Sequence, residues 1–173
     1  MNTTNYRPGQ FRQTNAFAMN YAVLFGLYWI AGLACFVNSF NIAGASFGFM
    51  LVIVTVPFLG MFLVNRFRKR VCGGLLTFTR GYMFSLLLYF YAALLLAVGV
   101  YLYFEFLDGS SFFNSYMAYL DSPEVKRLFE TGGMEQLAGG ISLKDMKNIA
   151  EAFQDLSAVA IAANILDFSI FSG

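Results

Sequence analysis

The chain has 173 residues, 58% apolar and only 12% charged, with 21 Phe and 10 Tyr. Soluble domains run at about 45–50% apolar and about 25% charged, so an ordinary soluble domain is excluded. The net charge of +1 hides a sorted distribution: every charged residue up to Arg80 is basic, and all ten carboxylates follow it. Basic residues that sit between long apolar runs act as a topology signal, which excludes a nucleic-acid surface as their main role.

Residues 1–15 read as a polar cytoplasmic tail carrying Arg7 and Arg12. Residues 13–65 then contain no Asp, Glu, Lys or Arg. A helix needs roughly 20 residues to cross about 30 Å of hydrocarbon, so this stretch holds two crossings, residues 16–38 and 45–64, joined by a short turn. Gly44 and Gly48, like Ala22 and Gly26, form small-xxx-small pairs that suit close helix packing. Pro57 predicts a kink in the second crossing and a freed carbonyl at Ile53.

Arg66, Arg68, Lys69, Arg70 and Arg80 fall in a basic loop over residues 65–80. The positive-inside rule puts that loop and the N-terminus in the cytoplasm. A third crossing runs to residue 104, where Tyr101, Tyr103, Phe104 and Phe106 form an interfacial aromatic rim.

Residues 105–155 then make an acidic extracytoplasmic insertion of helical character. Ser122-Pro123-Glu124 is a helix start, and Gly132-Gly133 a stop. Ser142 with Asp145 is a capping box from which one uninterrupted helix is expected to run to Ser172, entering the membrane near Leu156. This fourth crossing, residues 156–173, reads as cut short by the end of the chain. The fold class is therefore an all-α integral membrane bundle of about four transmembrane helices, with the insertion between the third and fourth. An N-terminal secretory signal is disfavoured because the first apolar run exceeds an h-region of roughly 7–15 residues. Cys35 and Cys72 fall toward opposite membrane faces and are read as unpaired.

Chemistry-bearing candidates are few, and the chain has no histidine. No catalytic set, metal-ligand set or cofactor motif emerges, so an enzyme ranks behind non-catalytic readings. Asp167, with Asn164 one turn earlier and Ser169 beside it, is the intramembrane polar candidate, because a carboxylate in hydrocarbon is costly unless paired or hydrated. It either marks a pathway, or lies near the inner interface or at a helix contact, or forms a structural ion pair for which Arg80 is the favoured basic partner in the third helix. Glu105 and Asp108 form an outer-mouth acidic pair at helical spacing that is either a weak cation site or simply solvated. Arg66, Arg68, Lys69, Arg70 and Arg80 are lipid-phosphate candidates, although topology alone also explains them.

The four-helix layout has a Thr77-Phe78-x-x-Gly81 approach to the third helix and a Tyr101-x-Tyr103-Phe104-x-Phe106-x-Asp108 exit. With the insertion that follows, this resembles the DUF4199 membrane proteins of Bacteroidetes. The resemblance implies a bacterial inner membrane and a neighbouring family-2 membrane glycosyltransferase, hence a context of polyprenyl-phosphate-sugar metabolism. It lends no catalytic residue. The resulting expectation is a non-enzymatic accessory or scaffold subunit of an inner-membrane envelope complex, in contact with membrane lipids and with a glycosyltransferase or other envelope protein. The alternative is a small transporter or lipid-carrier flippase acting as a homo-oligomer.

Overall fold

The computed structural model describes residues 8–107, 111–131 and 140–172; the side chains of Pro8, Ala43 and residues 170–172 are not considered. Within them the chain is all helical: α1 (Pro8–Asn38), α2 (Ala43–Val71), α3 (Phe78–Leu102, continued by a π turn at Tyr103–Leu107), α4 (Ser111–Leu120), α5 (Pro123–Glu130), α6 (Leu143–Gln154) and α7 (Ala158–Ser172). Three stretches are long and apolar enough to cross a membrane: Gly9–Asn38, Gly44–Val71 and Phe78–Leu107.

The path runs up, down and up, so α1 and α3 lie parallel, and their contact is the most extensive in the molecule. On α1 the buried positions Thr14, Ala18, Ala22 and Phe25 recur at spacings of 4, 4 and 3. On α3 the matching set is Phe84, Leu88 and Ala92. Small residues let the backbones close: a Cβ on Gly26 would come within 2.8 Å of Leu95, and one on Gly99 within 3.0 Å of Ile30. Because lipid gives apolar surfaces no reason to leave it, such close packing and interhelical hydrogen bonds carry helix association in membranes. Two of those bonds are Tyr91 Oη to Asn15 Oδ1 at 2.7 Å and the contact between Tyr28 and Thr55 hydroxyls.

Helix α2 packs mainly on α1, and meets α3 chiefly through Phe67 stacked on Phe84 at 4.1 Å between ring centres. Of the four small residues noted in the sequence, Ala22 and Gly26 are buried at the α1–α3 seam, and a Cβ on Gly48 would lie 3.3 Å from Cys35 Sγ. Gly44 has open space around it. Cys35 and Cys72 are free.

Three boundaries differ from the sequence expectation. The described part of helix α1 already covers Pro8 to Asn15, which the sequence reading gave to the tail. Helix α2 runs on to Val71, so Arg66, Arg68, Lys69 and Arg70 ride its last turns and not a loop. Long cationic side chains are good helix formers, and cations favour a helix C-terminus. The expected single helix from Leu143 to Ser172 is two helices. The break falls at residues 155–157, where the Asp155 N–H caps α6 onto Glu151 O, and Ser157 Oγ accepts the Ala160 N–H at 3.3 Å. Helix α7, at 15 residues, rises only about 22 Å against the roughly 30 Å of a bilayer core, so three helices, not four, have spanning length among the described residues.

The insertion caps the bundle. Ser122 accepts the Val125 N–H at the start of α5, and Ser142 and Asp145 form the expected capping box of α6. Helix α4 packs on α6, and Asp121 receives Lys147 at 2.7 Å and Lys126 at 3.0 Å. Those two ammonium groups, Lys147 first, hold the Asp121 carboxyl below the usual carboxylate range. A lowered folded-state value means the tie is intact above the ordinary Asp range and is lost as pH falls through the lower value.

Acidification below that range is expected to lower amide protection factors, taken against the intrinsic rate at each pH, in α4 and α6 while those of α1 and α3 hold. Gly26→Leu is expected to lower stability in detergent by about 1–3 kcal/mol through overpacking against Leu95. Gly44→Leu, with nothing within 4 Å of its Cβ, is expected to be neutral in the same thermal assay.

Candidate functional site

The arginine end of the bundle is built by the close of α2 and the start of α3. Gly73 and Gly74 take φ values of 61° and 89°, a left-handed turn that Cβ-bearing residues resist, and this brings the chain back to α3. Arg68 Nε donates to Gly74 O at 2.7 Å, bracing that turn. Lys69 and Arg70 are exposed, whereas Arg66 is half-buried and its Nε has no hydrogen-bond partner. Burial pushes the Cys72 thiol above its ordinary range, partly offset by the charge of Arg80.

Arg80 is separate from this group. Its Nη2 donates to Gln13 Oε1 at 2.7 Å and its Nε to Thr14 Oγ1 at 3.2 Å, while the guanidinium stands 5.5 Å from the Phe67 ring centre. One side chain thus ties α1, α2 and α3 together, with two of its five N–H donors given to α1.

Because α2 and α3 diverge from their Phe67–Phe84 stack, a cleft of about 640 Å³ opens between them. Arg68 and Asn65 stand at its charged end, Ser85 and Tyr89 on the α3 wall, and Gly60 and Pro57 at its deeper end. A Cβ on Gly60 would lie 3.0 Å from Tyr89 Oη, so the glycine gives that ring its place. The sequence candidates Pro57 and Arg68 therefore share one wall. A cation at the mouth, neutral hydroxyls within and apolar carbon beyond suit an amphiphile with an anionic head.

Asp167 and Asn164 lie on the exposed side of α7, while Ile161 and Ala162 face α3. Asn164 returns its amide to Ala160 O at 2.8 Å, and Ser169, half-buried, returns its hydroxyl to Ile165 O at 2.7 Å. Among the described residues no hydrogen bond or ion pair is made to Asp167. Arg80 is not its partner: Ile165 packs by Leu96 and Val100, and Leu96 is roughly 24 Å along α3 from Arg80. Glu105 is exposed in the π turn. Asp108, and with it the expected acidic pair, lies outside the described residues, as does Gly132-Gly133. No group of three or more Cys, Asp or Glu able to hold a metal occurs among the described residues.

Sequence reasoning passed over the Asn15–Tyr91 and Tyr28–Thr55 bonds, although an Asn and a Thr inside apolar helices were the available signal. It also passed over α4, whose Phe112, Phe113, Tyr116 and Leu120 repeat at helical spacing.

Arg80→Ala is expected to lower stability by about 1–3 kcal/mol, since it removes charged hydrogen bonds and an aromatic contact at once. Asp167→Asn is expected to leave abundance and melting unchanged, which membrane fractionation and thermal unfolding in detergent would read side by side.

A family model described as "Protein of unknown function (DUF4199)" matches residues 20–172, and the chain belongs to that family. No curated protein and no solved structure matches it.

Proposed function

We propose that this DUF4199 chain is a non-enzymatic accessory or scaffold subunit of a bacterial inner-membrane envelope complex. The observation that carries the reading is the state of α2. Only 11% of its most apolar window is buried within the chain, against 33% for α3. Phe47, Met50, Val54, Phe58, Met61 and Phe62 of α2 are all more than half exposed. A spanning helix held so lightly by its own chain has a full face available to a helix of another subunit. The Arg and Lys residues at one end argue for a cytoplasmic N-terminus and an outward-facing α4–α6 cap. A lipid phosphate would suit the Arg68 cleft, in keeping with a role beside polyprenyl-phosphate-sugar metabolism and a membrane glycosyltransferase partner.

A second reading, a small transporter or lipid-carrier flippase, draws on the exposed face of α7. Asp167 and Asn164 lie there without a partner helix, and a second copy of the chain would enclose them in a homo-oligomer.

Affinity purification in mild detergent separates the two. A stoichiometric membrane partner is the expected outcome; a lone oligomer with bound lipid would move the transporter ahead. Orientation is tested by impermeant maleimide on sealed cells and inverted vesicles. Cys72 is expected to label only from the cytoplasmic side and faster as pH rises, because its thiol must first ionise. A Glu130→Cys variant is expected to label only from outside, and labelling from the cytoplasm alone would reverse the topology.

A further inference from the structure

At the end of the bundle opposite the arginines, a cavity of about 520 Å³ lies beneath α4 and α6. We propose that it is a binding site for one acyl chain of a bilayer phospholipid, which enters from the membrane between α1 and α2. The proposal does not depend on the accessory role argued above.

The walls come from five elements: Phe36 and Phe40 of α1, Phe104 of the π turn, Phe112 of α4, Met146 of α6 and Ile161 of α7, among others. Of the described lining residues only Tyr116 carries a polar group. Voids in a packed protein interior seldom exceed a water molecule, and this one is within the range of roughly 300–1,000 Å³ found for ligand pockets. Water has almost nothing to bond to inside it, so it is a place for hydrocarbon. The aromatic walls are set before any ligand arrives: the Phe112 ring centre is 5.7 Å from those of both Phe36 and Phe40, and 6.0 Å from that of Phe104. The π turn that carries Phe104 departs from the i→i+4 ladder, a distortion that recurs at functional sites.

The route in identifies the occupant. A second cavity of about 260 Å³ shares Leu33, Phe36 and Ile165 with the first and continues to Gly32 of α1 and to Val52 and Ile53 of α2. Ile53 is 50% exposed on a spanning helix, so this passage opens where the bilayer is. A ligand that arrives there and meets no charged group at either cavity is selected by its chain and not by its head. The acyl chains of the surrounding phospholipids are the hydrocarbon present at that depth.

The test uses the full chain in vesicles of phosphatidylethanolamine and phosphatidylglycerol containing a phospholipid with a diazirine near the end of one acyl chain. Irradiation followed by peptide mapping is expected to place label on α4 and α6, above the level on the lipid-facing side of α2. Met146→Trp, which fills the cavity, is expected to cut the α4 label about tenfold, the equivalent of two methylenes left outside, without changing the α2 label. Met146→Ala should label as the native chain does, and Ile149→Trp from the same wall replaces Met146→Trp if that variant does not fold. Label on α4 and α6 no higher than on α2, or label unchanged in a folded tryptophan variant, would overturn the proposal. So would labelling of this cavity by a photoreactive isoprenoid and not by the phospholipid.

Discussion

Helices α1 and α3 run in the same direction and touch where their side chains are smallest. Gly26 sits against Ala92 and Leu95, and Gly99 against Ile30, so the two backbones approach more closely than any larger residue would permit. In lipid this approach gains dispersion contacts that no hydrophobic driving force supplies, and it fixes the register along which polar groups can meet. Arg80 meets Gln13 and Thr14 at one end of the seam because the glycines farther up have already set the offset. Val100, near the other end, becomes the platform on which Ile161, Ala162 and Phe113 close the second core.

The looser parts follow from that same seam. With α1 and α3 holding each other, α2 is left with the flank of α1 and, toward α3, the Phe67–Phe84 stack, the Arg80 contact on Phe67 and Tyr89 against Gly60. The cleft by Arg68 is the gap that results. The cap over the other end has little core of its own: Phe113, Leu120, Val125 and Ala150 are its buried residues among those described. Its order depends on rings borrowed from α1, Phe36 and Phe40, and on the exposed Asp121–Lys147 tie.

What the sequence made legible were features written within a dozen or so neighbouring residues. Three spans, the Ser122 start and the Ser142–Asp145 box depend on local hydropathy or on a side chain reaching its own backbone, and all are present. The break at residues 155–157 was equally local, yet an unbroken apolar period on both sides concealed the Ser157 cap. The parallel pairing of α1 with α3 was not legible. Glycines are frequent in membrane helices, and nothing near Gly26 says that its neighbour is Leu95 and not a residue of α2. The candidate residues divide in the same way. Arg68 and Pro57 fall on one wall because they are three helical turns apart on one element. Arg80 and Asp167 were linked only by charge, and their separation along α3 and α7 undid that link.

Parallel pairing also sets a schedule for biogenesis. The residues that lock the seam, Gly26 and Leu95, are about 70 positions apart in the chain. At a synthesis rate of about 5–20 residues per second, roughly 3 to 14 seconds pass between the emergence of one and of the other. Through that interval α1 stands beside α2, with Asn15 still to meet Tyr91 of α3. The molecule becomes self-supporting only when its third helix arrives.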